Sequence, residues 1–87
     1  MNKKALLKLV AQILQNPKQV DLATLRRLLE AFGYECRQPR GGSSHYVFRK
    51  AACQMITVPM HKPVKVVYVK AVIRELELEA WYEKENA

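Results

Sequence analysis

Apolar residues recur at helical spacing from the start of the chain. Leu6, Leu7, Val10, Ile13 and Leu14 share one side of a helical wheel, and Lys3, Lys4, Lys8 and Gln12 lie elsewhere on it. The pattern predicts an amphipathic helix that stops at Asn16, because a residue before proline, here Pro17, is pushed out of helical geometry. A second stripe follows at Leu22, Leu25, Leu28, Leu29 and Phe32, with Arg26, Arg27 and Glu30 facing outwards. Asp21 stands where a side-chain oxygen can cap the first turn of that helix. Gly33 stands where a left-handed residue closes it.

The period then shortens to two. Tyr34 to Gln38 reads as a short strand stopped by Pro39, and Arg40-Gly-Gly-Ser-Ser44 as a turn permissive at two glycines. His45 to Lys50 alternates, and Met55 to Val58 alternates again before Pro59. Short connections make these three strands an antiparallel meander. Beyond a loop from Pro59 to Val64, a third stripe at Tyr68, Val69, Val72, Ile73, Leu76 and Ala80 predicts one helix through to about Trp81. The order is α-α-β-β-β-α, an α+β fold in which the second and last helices cover one face of the sheet. Side chains alternate across a strand, so Tyr46 and Phe48 share one face and His45, Val47 and Arg49 the other. With Phe48 as the core anchor, His45 and Arg49 face solvent.

Eighty-seven residues suffice for one core and not two, so a single domain over residues 1–87 is expected. Lys3 and Lys4 before Ala5-Leu6-Leu7 superficially suggest a signal peptide, but Lys8, Gln12 and Gln15 interrupt the run and no small-residue cleavage site follows. A cytoplasmic chain with no membrane segment is the expectation. Cys36 and Cys53 make neither a disulfide framework nor a metal-ligand set, and are expected as reduced, half-buried thiols.

Charge changes the picture most. The net charge is +7, and five of the eight acids crowd into Glu75, Glu77, Glu79, Glu83 and Glu85. Between Cys36 and Arg74 there is no acid at all, while Arg37, Arg40, Arg49, Lys50, Lys62, Lys65 and Lys70 fall inside that window. Such a surface suits a polyanion. The one histidine at the mouth of a strand, His45, adds proton transfer near neutral pH, and RNA is the polyanion whose cleavage needs it. A base removes the 2′-hydroxyl proton, and the oxygen attacks the adjacent phosphorus. Arg40, Arg49, Lys50 and the Gly41-Gly42 backbone are the local supply of positive charge for the phosphorane. No metal site or other cofactor is expected, because acidic ligands are missing from this segment and two histidines make a poor site. A second proton-transfer group is not evident; His61, Tyr46 and Lys62 are the alternatives.

The string Gly42-Ser-Ser-His-Tyr-Val-Phe48, followed by Ile56-Thr-Val-Pro59 and His61, resembles the HicA toxins, also called the YcfA-like family. Leu28 to Tyr34 is similar to that family's passage from helix to first strand, and the resemblance spans about Asp21 to Leu76. It implies a fold like that of double-stranded-RNA-binding domains over residues 21–87, with residues 1–17 as an N-terminal helical extension. It also implies cleavage of messenger RNA and neutralisation by a HicB-type antitoxin. A homodimer or a hetero-oligomer with that antitoxin is the expected assembly. The family's catalytic histidine carries over onto His45, and Ser44 takes its serine position. Ser43 replaces its glycine, with Gly41 and Gly42 just before. Ser44, Arg40, Arg49, Lys50, Lys62 and Lys65 are the expected RNA contacts.

Two other classes compete. A non-catalytic double-stranded-RNA-binding module would read duplex shape through a helix and loops, but Glu75, Glu77 and Glu79 interrupt the basic character of the last helix. A DNA-binding helix-turn-helix built on Leu6–Gln15 and Asp21–Phe32 offers only Arg26 and Arg27 as strong base readers. Trp81 and Tyr82 suit the edge of a core or a partner contact better than a base-stacking platform.

Overall fold

The computed structural model describes residues 1–38 and 44–87. The first stripe becomes α1 (Lys3–Gln15), opened by Asn2, whose Oδ1 accepts from the Ala5 N–H at 2.8 Å, and closed at Asn16 before Pro17. The second becomes α2 (Leu22–Ala31). Asp21 occupies its N-cap position in extended geometry, but its side chain accepts no first-turn N–H, contrary to the expected cap. The other end is built as expected. Gly33 has φ 93°, its N–H donates to the Glu30 carbonyl, and the Tyr34 N–H reaches back to Leu29 at 2.9 Å. This paired arrangement satisfies carbonyls that the helix end leaves free.

Strands β1 (Glu35–Arg37), β2 (His45–Arg49) and β3 (Ile56–Pro59) form the antiparallel meander in the order β1-β2-β3. β1 starts later than expected because Tyr34 belongs to the helix closure and is buried there. Cys36, Tyr46, Phe48, Ile56 and Val58 point to the covered face, where Phe48 and Val58 are fully buried. Leu25, Leu28 and Leu29 of α2 and Val69 and Val72 of the next helix join them in one core.

The expected single last helix is two. α3 (Val66–Glu75) ends at Leu76, Glu77 turns left-handed at φ 50°, and α4 (Leu78–Glu85) sets off in a new direction. A continuous helix would place Leu78 nine residues, half a turn of the wheel, away from Val69 and therefore on the outside. The break instead buries Leu78 completely and brings Trp81 edge-on to Phe32, with ring centroids 5.3 Å apart. The half-buried Trp81 thus sits at the edge of the core, as its position in the sequence suggested.

α1 packs against α2 and α4 rather than over the open face of the sheet. Its Leu9, Val10 and Ile13 are buried in the same core as Phe48, so this helix enlarges the helical layer. The sheet face opposite the helices stays uncovered by it.

Candidate nucleic-acid interface and its histidines

The alternation of β2 and the burial of Phe48 together decide where His45 points. With Phe48 inward, His45, Val47 and Arg49 lie on the open face, and His45 is exposed at the first position of the strand. Cross-strand register adds Arg37 opposite Val47, Glu35 opposite Arg49, Thr57 opposite Val47 and Pro59 opposite His45. Arg37 is a cation of this face that the RNA contacts expected from sequence omit. Its two-residue spacing from Glu35 was the available signal, but only the register shows which way β1 faces. Glu35 and Arg37 form an ion pair at 3.3 Å, a weak link between two exposed side chains.

The expected RNA contacts do not all gather around His45. Arg40, with the Gly41-Gly42 turn and Ser43, lies outside the described residues. Ser44 is exposed beside His45, and its carbonyl accepts the Met60 N–H, extending the β2–β3 ladder one step past Pro59. Arg49 shares the face of His45 but stands four strand positions away, about 13 Å along the strand. Arg37 and Arg49 therefore make a track leading away from the histidine rather than a ring around it.

Lys50 departs from expectation. Its place after Arg49 turns it to the helix side of the sheet, where its Nζ donates to the Phe32 carbonyl at 2.7 Å and lies 5.7 Å from the Tyr34 ring centroid. The lysine closes the C-terminal end of α2, whose carbonyls carry partial negative charge. It is thereby drawn away from His45.

Lys62 and Lys65 are exposed in the segment after β3, Lys65 at the N-cap of α3. His61 lies between them and the strand, and its Nδ1 is 2.8 Å from the Pro63 carbonyl oxygen. The segment is anchored by buried Val64, whose N–H donates to Val20 at 2.9 Å. His61, Lys62 and Lys65 therefore adjoin the end of the sheet where β2 begins and β3 finishes, the end that holds His45.

The thiols differ. Cys36 is half-buried on the covered face, and burial raises its pKa against the opposing pull of Arg26. Cys53 is exposed, not half-buried as expected, because it follows a left-handed Ala52 in the β2–β3 connection. Burial likewise raises the Tyr34 phenol, with further upward pushes from Cys53 and Glu75. Among the described residues no three His, Cys, Asp or Glu side chains group as a metal site, and no helix is long and apolar enough to cross a membrane.

Comparison with known proteins adds one finding. A family model described as the HicA toxin of bacterial toxin–antitoxin systems matches residues 23–78. The match takes in α2 except its first residue, the whole sheet and α3, and with them His45 and His61; α1 and nearly all of α4 fall outside it. No curated protein and no solved structure matches the chain significantly.

Proposed function

The chain belongs to the HicA toxin family of bacterial toxin–antitoxin systems, which implies a cognate antitoxin partner, and on that premise we propose that it is an endoribonuclease with His45 as its general base. The observation that carries the proposal is the exposed His45 at the start of β2, on a sheet face left open by every helix and continued by Arg37 and Arg49. His45 takes the proton of a 2′-hydroxyl. The 2′-oxygen bonds to the adjacent phosphorus, and the bond from phosphorus to the 5′-oxygen breaks. The 5′-oxygen takes up a proton as it leaves, so the products are a 2′,3′-cyclic phosphate and a free 5′-hydroxyl, with one proton lost to His45 and one gained.

Charge and spacing divide the remaining roles. Ser44 adjoins His45 in the chain and offers a hydroxyl to the scissile phosphate, and Arg40 stands four residues before Ser44 in the sequence. Arg37 and Arg49 suit phosphates further along the strand of RNA, since roughly 13 Å separates Arg49 from His45. Lys62 and Lys65, which follow β3 at the His45 end of the sheet, meet the RNA backbone there. Messenger RNA is the substrate, cleaved in the cytoplasm. A HicB-type antitoxin neutralises the protein by covering the open face and burying His45.

The test is RNA incubated with purified protein free of partner, and with His45→Ala. Loss of a general base lowers the rate by about 10²–10⁴-fold. Growth arrest on expression should disappear with the same substitution while the protein stays folded. Equal cutting by both proteins, or none by either, ends the proposal. Unchanged duplex affinity in His45→Ala, with no scission by the wild type, would assign the face to non-catalytic RNA binding.

A further inference from the structure

Cleavage by this route needs two proton transfers, and His45 accounts for one. The 5′-oxygen leaves as an alkoxide unless something protonates it. Of the three side chains that the sequence leaves open for this role, Tyr46 points to the covered face, half-buried opposite Val58. Lys62 has no orienting side-chain hydrogen bond among the described residues. His61 does have one, and its chemistry is informative.

The Pro63 carbonyl oxygen carries only lone pairs, so the 2.8 Å contact requires a proton on His61 Nδ1. That bond sets both the tautomer and the ring orientation, and it survives whether or not the ring is charged. Proton exchange is therefore confined to Nε2, which gains a proton in the imidazolium and surrenders it again. A ring held by its backbone in this way is prepared to act at one atom.

Its place is equally specific. Pro59 pairs with His45, and the Met60 N–H bonds to the Ser44 carbonyl, so the two chain segments are still laddered one residue before His61. His61 thus continues the chain past Pro59 at the end of the sheet that holds His45. A phosphodiester lying across that end of the sheet can be approached from both chain segments.

We infer that His61, through Nε2, is the general acid that protonates the departing 5′-oxygen while His45 removes the 2′-hydroxyl proton. The inference rests on the ribonuclease reading above. The N–H bond at Nε2 breaks as the bond from phosphorus to the 5′-oxygen breaks, and the proton goes to that oxygen. His61 ends neutral and His45 ends charged, so the pair exchanges states in each cleavage. Solvent then returns both to the starting form.

The experiment uses two RNAs cut by the wild-type protein at the same mapped linkage, one of them with sulfur replacing the bridging 5′-oxygen. A thiolate leaves without protonation, so that substrate no longer needs the acid. His61→Asn keeps an amide N–H near the position of Nδ1 for Pro63 while removing the proton carrier; His61→Ala removes both. Both variants should cut ordinary RNA about 10²–10³-fold more slowly and the sulfur-bridged RNA within about threefold of wild type. His45→Ala should be slow on both. Ordinary-RNA cleavage by His61→Asn within about threefold of wild type would overturn the assignment while leaving His45 as the base. Equal loss on both RNAs by His61→Asn would also overturn it, since a positional or binding role predicts that result. A wild-type protein that cuts neither RNA removes both the assignment and the ribonuclease reading.

Discussion

Lys50 offers the sharpest separation of architecture from RNA binding. Consider Lys50→Met, which keeps most of the aliphatic stem that runs past Gly33 and removes only the ammonium. A Cβ built on Gly33 would lie 3.2 Å from the Lys50 Cε, so the stem is in close contact with the end of α2. The 2.7 Å bond to Phe32 is charge-assisted, a class worth about 1.5–3 kcal/mol, reduced here because the lysine is exposed. The Tyr34 ring adds about 0.5–1 kcal/mol at a solvent-facing site, and the helix end about 0.3–1 kcal/mol. These contributions overlap in one ammonium, so the net loss is about 1 kcal/mol, which lowers Tm by about 4–8 °C in a domain of this size.

Thermal unfolding by circular dichroism reads that loss. RNA affinity, measured across a salt series in a His45→Ala background so that the RNA stays intact, should not change. A phosphate contact behaves oppositely. It would leave Tm close to wild type, weaken binding, and reduce the slope of log affinity against log salt by about 1. That second pattern would refute the placement of Lys50 at the helix end.

Leu78→Ala should cost about 2–5 kcal/mol in denaturant unfolding, because the side chain is fully buried; a cost under about 0.5 kcal/mol would mean that α3 runs on and exposes it. Glu77→Gly should stabilise by about 0.5–1 kcal/mol, since glycine adopts φ 50° freely and offsets this only by its greater freedom when unfolded; destabilisation in the same assay would contradict the left-handed turn. The raised Cys36 and Tyr34 keep the folded state protonated where the unfolded state has ionised, so their contribution is present below the unfolded values and lost as pH rises through the folded ones. Tm should accordingly fall above about pH 9 in wild type and fall less steeply in Cys36→Ser with Tyr34→Phe. A thiol reagent at pH 8 should modify exposed Cys53 well before Cys36; the reverse order would contradict their placement.

The helical layer and the open sheet face have different origins in the chain. α1 and α4 lie almost wholly outside the family match, yet they pack on one another, and an ion pair of 3.8 Å joins Lys3 to Glu85. Their contact enlarges the helical layer on the covered side of the sheet. The open face of the sheet is built entirely within residues 23–78.

Much of this molecule is written in short-range pattern. The ends of α1 and α2, the meander, and the outward face of His45 follow from Asn16-Pro17, Gly33 and the alternation around Phe48, because each depends on neighbours within a few residues. Other features required residues distant in sequence to meet. The helix stripe through Trp81 was locally consistent, and it broke only because burying Leu78 and seating Trp81 on Phe32 outweighed one strained residue at Glu77. Lys50 looked like a surface cation until the Phe32 carbonyl, eighteen residues earlier, claimed it. The composition placed His61 in a basic loop and said nothing of its tautomer, which a carbonyl two residues on decides. Its place at the end of the sheet that holds His45 comes from the pairing of β2 with β3. Local sequence determined which groups exist and which way the strand turns them; tertiary packing decided which of them share a site, because that depends on long-range register and on competition for partners.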